Sequence, residues 1–74
     1  MTKGVDYLNN VRIFREKEGL SQFALAKEIG VARQTINLIE NNKYNPSLDL
    51  CIKLAKRLNS DLNELFWEEK ADEK

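Results

Sequence analysis

Residues 20–45, LSQFALAKEIGVARQTINLIENNKYN, carry two short amphipathic helical patterns either side of a Gly-Val-Ala break. The spacing predicts one helix over Gln22–Ile29 and a second over residues 33–41. Leu25, Ile29, Val31, Ile36 and Ile39 are the apolar positions, and helical geometry turns them toward one side of the pair. Ser21 is placed to cap the first helix, its hydroxyl accepting a free amide of the opening turn. Ala26 follows Leu25 where a larger side chain would hold the two helices apart. Gly30 ends the first helix, where a left-handed backbone costs glycine little. A short break with glycine first and an apolar residue second lets the helices cross steeply. This is the sequence form of a helix-turn-helix.

Four stretches stand in register around that motif: LSQxxLAxxxGV at residues 20–31, RQTI at 33–36, IEN at 39–41 and NPSL at 45–48. Their order resembles the Xre-like regulators, the family of small lambda-type phage repressors and their bacterial relatives, over residues 9–66. The resemblance implies an all-α, compact five-helix lambda-repressor-like DNA-binding domain. Two positions depart from the family pattern. Ala32 stands where the family places a Ser or Thr cap, which should weaken the second helix by about 1 kcal/mol. Asn42 stands where the family prefers Gly, and Asn is the next best tolerated residue in a left-handed conformation.

At 74 residues the chain is expected to form one domain, burying only about 60% of its unfolded surface. It has no histidine and a single cysteine, Cys51. That argues against histidine acid–base chemistry, an internal disulfide and an ordinary zinc site. Neither a nucleophile beside a base nor a Gly-rich phosphate loop is present, so no catalytic residue, metal or cofactor is assigned. No apolar run approaches membrane-spanning length, and a cytoplasmic protein without a small-molecule ligand is expected. The formal net charge is zero, but it is unevenly placed. Residues 1–63 hold ten Lys/Arg against seven Asp/Glu, whereas residues 64–74 hold two Lys against five acids. The globular part is mildly basic and carries an acidic tail over residues 68–74.

Along the chain, residues 5–8 alternate apolar and polar side chains and precede Asn9-Asn10. Helix 1 is expected from residue 10 to 18, or from Asp6 with that residue as cap; Val11 and Phe14 are its core-facing edge. Gly19 ends it and Leu20 drops into the core. Pro46 and Ser47 open a helix over residues 48–58, with Leu50, Cys51, Leu54, Ala55 and Leu58 inward. Asp61 and Glu64 form an acidic capping box for a brief helix over residues 62–66, with Leu62 and Leu65 inward. Residues 5–8 and 66–69 are rich in β-prone side chains and are expected to pair as a small antiparallel ribbon that needs packing against the helices.

Several side chains carry two readings. Cys51, on an apolar stripe, is expected to be a buried reduced thiol rather than a redox sensor. Arg15 and Glu40 are either solvated charges or, as the resemblance implies, a partly buried ion pair between helix 1 and the second motif helix. Ile13, Phe23, Leu38, Ile52 and Trp67 fall off the core stripes, which points to a partner surface. The resemblance implies a homodimer, with Ile52, Leu62 and Trp67 at its interface; Trp67 could instead cover the core edge.

In a helix-turn-helix the second helix enters the major groove of double-stranded DNA. With Ile36 and Ile39 facing the core, Arg33, Gln34, Asn37, Leu38 and Asn41 are left on the groove side. Arg33 can donate two hydrogen bonds to guanine and Gln34 can pair with adenine. Leu38 can lie against a thymine methyl, while Asn37 is a secondary base or phosphate contact. Ser21, Gln22, Thr35, Asn41, Asn42, Lys43 and Tyr44 are the expected backbone contacts. The function expected is a homodimeric, sequence-specific regulator, a repressor in similar proteins. The alternative is an antitoxin or adaptor whose DNA binding is secondary.

Overall fold

The computed structural model describes residues 9–67, the side chain of Trp67 excepted. The first element, α1 (Val11–Lys17), is preceded by two asparagines that tie the incoming chain to distant places. The Asn9 carboxamide oxygen accepts from the Val11 N–H, and its nitrogen donates to the Ile39 carbonyl at 2.8 Å and to Asn42 Oδ1 at 3.2 Å. Asn10 is buried; its N–H bonds the Leu65 carbonyl and its side chain the Glu64 carbonyl, each at 2.8 Å. Of the two starts expected for this helix, the later one is found. The earlier, at Asp6, and the extended segment over residues 5–8 lie outside the described residues.

The motif helices follow as α2 (Gln22–Ile29) and α3 (Arg33–Glu40). Ser21 Oγ accepts the Ala24 N–H at 2.9 Å, the cap its position predicted. Gly30 adopts φ +92° and sends its N–H to the Ala26 carbonyl, so α2 stops in a conformation that a Cβ would strain. Ala32 gives α3 no side-chain cap, and only its carbonyl takes part, accepting the Thr35 N–H. Past α3, Asn42 takes φ +58°, a left-handed geometry that asparagine tolerates.

α4 (Leu48–Arg57) is capped by Ser47, whose hydroxyl accepts the Leu50 N–H at 3.2 Å. A second left-handed asparagine, Asn59 at φ +55°, turns the chain out of it. The last element, α5 (Asn63–Trp67), is wound as a π-helix rather than the expected α-helical turn. Asp61 caps it, accepting the Glu64 N–H at 2.8 Å, while the Glu64 carboxylate accepts from the Ser60 hydroxyl. Phe66 and Trp67 therefore lie in a helical segment, which corrects the ribbon expected there. Residues 66 and 67 complete the π-turn whose carbonyls at positions 64 and 65 receive Asn10, leaving no extended backbone to pair. Residues 68 and 69 lie outside the described residues, among which there is no strand.

Val11, Leu25, Ile36, Ile39, Leu54, Leu58 and Leu65 are fully buried, one or two from every helix or helix end. Each contributes about 1.5–3 kcal/mol by leaving water. Ala26 is buried among them, as its place beneath α3 requires. Phe14, Leu20, Ile29, Val31, Leu50, Leu62 and Phe66 close the rim of this core. α3 packs on both α2 and α1, so its apolar side is fully used and its other side is held outward. Cys51 is half-buried rather than buried, because its side of α4 lines a groove with Tyr44, Pro46, Leu48, Leu62 and Phe66. No helix among the described residues is long and apolar enough to cross a membrane.

Candidate nucleic-acid interface

α3 presents its polar side because its apolar side is committed. Ile36 and Ile39 are fully buried, whereas Arg33, Gln34 and Asn41 are exposed and Thr35, Asn37 and Leu38 half-buried. Leu38 is thus less exposed than its off-stripe position suggested. The Asn41 amide donates to the Asn37 carbonyl at 2.8 Å, finishing the helix. Beyond it, the Asn42 N–H bonds the Ile39 carbonyl and the Lys43 N–H the Leu38 carbonyl, fixing the loop directly below α3. Asn42, Lys43 and Tyr44 are exposed on that loop. Ser21, with one lone pair engaged in capping, still has its hydroxyl proton to donate outward.

Below this surface lies a charge pair. Arg15 Nε meets Glu40 Oε2 at 2.6 Å and Nη2 meets Oε1 at 3.4 Å, with side chains 10% and 4% exposed. The guanidinium is further held by the Leu20 carbonyl at 2.7 Å. Of the two readings of these residues, the buried pair is the one found. Gln22 extends it: Nε2 donates to Glu40 Oε1 at 3.0 Å, and Oε1 accepts from Arg33 Nη1 at 2.9 Å. A chain of polar contacts thus runs from α1 through the end of α3 and the start of α2 to the first residue of α3.

On the other side of the bundle, Arg57 reaches Glu28 at the end of α2 and Glu18 at the end of α1. The hydrogen bond from Arg57 holds the Glu28 carboxyl below its usual range, and Glu28 in turn raises Arg57. Glu18 also accepts from Asn59 at 3.2 Å. Burial pushes the Cys51 thiol up. Ile13, Phe23 and Ile52 are exposed as expected, at 44%, 62% and 38%, and Leu48 joins them at 64%. Leu62 is half-buried against the core, and the Trp67 side chain lies outside the described residues. Among the described residues no cluster of His, Cys, Asp and Glu has the arrangement to hold a metal.

Sequence reasoning missed the contacts of four of these residues. Asn9 was placed only as a residue ahead of helix 1, although it joins the start of α1 to the end of α3. Arg57 and Glu28 are 29 positions apart, and nothing local marks them as partners. Gln22 read as a phosphate ligand, and its two protein partners come from elements whose crossing the sequence does not specify numerically.

Two short helices joined at a left-handed glycine, the second exposing one polar side, define a helix-turn-helix protein. A helix-turn-helix family profile matches residues 11–65, and the chain belongs to this family of DNA-binding transcriptional regulators, of the Xre or lambda-repressor type. An HTH-type transcriptional regulator of Archaeoglobus fulgidus is 48% identical over 56 residues, covering 76% of this chain and 80% of its own. The restriction-modification controller protein C.AhdI from Aeromonas hydrophila has a similar fold, with a TM-score of 0.73 and 35% identity over 84% of this chain and 94% of its own. SinR, the master regulator for biofilm formation, was solved in complex with DNA. It matches at a TM-score of 0.67 and 29% identity, over 73% of this chain and 87% of its own.

Proposed function

We propose that this protein is a homodimeric, sequence-specific repressor that places α3 in the major groove of an inverted-repeat operator. The observation that carries the reading is the division of α3: Ile36 and Ile39 are buried while Arg33 and Gln34, at its amino end, are exposed. In a helix-turn-helix that end lies nearest the base edges. Arg33 donates to guanine and Gln34 to adenine in bidentate fashion, each such pair discriminating by about 1–3 kcal/mol. Leu38 lies against a thymine methyl, and Asn37 serves bases or phosphate beside it. Ser21, Thr35 and Asn41, with Asn42, Lys43 and Tyr44 on the fixed loop, hold the backbone and set the register. The solved DNA complex of SinR, which shares this fold, supports the same partner.

The second copy meets the α4–α5 corner, where half-buried Leu62 lines the groove and Ile52 is exposed on α4, with Trp67 following them in sequence. A two-fold dimer of this kind wants half-sites about 10 bp apart, centre to centre. Selection of bound duplexes from a random pool tests the reading. Enrichment of an inverted repeat with that spacing supports it; a single unrepeated site removes the dimer, and no enrichment removes sequence-specific binding. Inserting about half a turn between enriched half-sites should abolish tight binding.

A further inference from the structure

We infer that Asn9 and Asn42 form a latch that holds the loop after α3 in place for the DNA backbone, with Asn9 acting as a positioning residue for Lys43. The inference rests on the proposal that this loop grips phosphates, and it names what keeps the loop there.

The turn itself is made by backbone. Asn42, at φ +58°, sends its N–H to the Ile39 carbonyl at 3.0 Å, and the Lys43 N–H reaches the Leu38 carbonyl at 2.8 Å. These are the two bonds of a Schellman closure, open to any residue that tolerates the left-handed region. Glycine takes that region at lower cost than asparagine. Asparagine adds a side-chain acceptor, and it is used: Asn42 Oδ1 accepts from Asn9 Nδ2 at 3.2 Å, across 33 positions of sequence.

Backbone groups that cannot be reversed set the polarity of this contact. The Val11 N–H only donates, and it reaches Asn9 Oδ1 at 3.0 Å. The Ile39 carbonyl only accepts, and it lies 2.8 Å from Asn9 Nδ2. The Asn9 carboxamide therefore turns its nitrogen toward α3, and the atom of Asn42 that meets it must be the oxygen. One side chain thus joins the start of α1, the last turn of α3 and the loop. The Ile39 carbonyl receives both Asn9 and Asn42, so the latch and the turn share an atom.

Asn42 and Lys43 are exposed, and a turn at an exposed helix end opens easily. Asn9 is half-buried, and its neighbour Asn10 is buried and bonded to α5 at positions 64 and 65. The latch therefore fastens a solvent-facing loop to the place where α1 and α5 are already joined. Lys43 follows Asn42 directly, so the turn sets the direction in which its stem leaves the protein. Ordering the loop before DNA arrives lowers the entropy lost on binding.

A residue that only starts α1 and one that also positions the loop differ in what their loss leaves behind. Loss of the first role lowers the folded fraction. Loss of the second leaves a folded domain with Lys43 displaced, so binding to every sequence weakens and the salt slope falls.

The test is a double-mutant cycle between Asn9→Ser and Asn42→Gly, on the duplex that the wild-type protein enriches and on a random duplex, at several salt concentrations. Serine keeps an oxygen for an amide at the start of α1 but is too short to bridge to α3. Glycine keeps the left-handed turn and removes the acceptor. Urea midpoints fix the conditions in which each variant is folded, and titrations are made there. Asn9→Ser is expected to weaken binding to both duplexes alike, about three- to tenfold, the effect of one lost hydrogen bond. In an Asn42→Gly background it should weaken binding further by about twofold or less. Neither substitution changes charge, so a fall in salt slope reports Lys43; both should lower it toward the slope of Lys43→Ala. Equal losses from Asn9→Ser with and without Asn42, at an unchanged slope, would overturn the inference and leave Asn9 a residue of α1 alone. A folded Asn9→Ser protein that binds as wild type would overturn it too, as would an Asn42→Gly protein with an unchanged slope. If Lys43→Ala itself leaves the slope unchanged, the loop does not grip phosphate, and the inference falls with that proposal. If Lys43→Ala lowers the slope and the latch variants do not, the inference alone fails.

Discussion

Arg15 and Glu40, separated by 25 positions in sequence, face each other through a 2.6 Å contact beneath the outer surface of α3. The pair joins α1 to the end of α3, so the helix assigned to DNA is oriented from within the bundle by charge as well as by Ile36 and Ile39. Desolvation makes such a pair a weak source of net stability, but removing one partner leaves the other charge buried. Glu40→Ala should therefore destabilise the fold by about 3–5 kcal/mol, read as a fall in the urea midpoint. Replacing Arg15 and Glu40 together with apolar residues of similar volume should cost much less. A midpoint unmoved by Glu40→Ala would show that the charge does not orient α3.

Ala32 offers a gain. It precedes α3 with φ −75° and ψ 150°, the extended geometry of a capping residue, yet its side chain has no acceptor. The backbone is already in place, so Ala32→Ser needs no rearrangement to cap the opening turn. It should stabilise the protein by about 1 kcal/mol. Thermal unfolding would register the rise, and no change in Tm would mean the amides of that turn gain nothing from the hydroxyl.

The Glu28–Arg57 pair gives the fold a dependence on pH. Because its hydrogen bond to Arg57 lowers the Glu28 carboxyl in the folded chain, the stability it contributes is present above the ordinary glutamate value. That contribution is lost as pH falls through the lowered folded value. Glu28→Gln should accordingly unfold more easily than wild type at neutral pH, and the gap should begin to narrow below about pH 4.5 and close below the lowered folded value. Urea denaturation from about pH 7 downward measures it; a gap that does not narrow at all as pH falls below 4.5 would place its origin in packing.

The helices and core were legible because their signals are local. Ser21, Gly30, Ser47 and Asp61 each act within a turn of their own position, and Leu25, Ile36, Ile39, Leu54 and Leu65 follow helical spacing. What sequence reasoning misjudged depends on distance or on termini. Phe66 and Trp67 are β-prone by side chain, but the Asn10 contacts to positions 64 and 65 hold that stretch in a π-turn. Cys51 has core spacing on α4, yet burial depends on what lies opposite, and a groove lies there. The groove-side residues of α3 could be enumerated from periodicity. Their coupling to Gln22 and Glu40 could not, since it depends on how two helices cross.

Under the proposed reading, substitution of Lys43 separates the electrostatic part of DNA binding from the part that reads sequence. Its backbone N–H bonds the Leu38 carbonyl at 2.8 Å, so the residue is fixed three positions past the end of α3, while its side chain is exposed. An ammonium on a flexible stem acts toward a phosphate as a point charge and carries no base code. Lys43→Ala should weaken binding to the enriched and random duplexes in equal proportion, and lower the salt slope by about one. Arg33→Ala should instead cost about 1–3 kcal/mol on the enriched duplex and relax one base position in each half-site. Titrations of both variants against both duplexes at several salt concentrations distinguish the roles. If the two substitutions change both affinities in the same proportion, Arg33 does not read sequence and the groove-facing assignment of α3 is wrong.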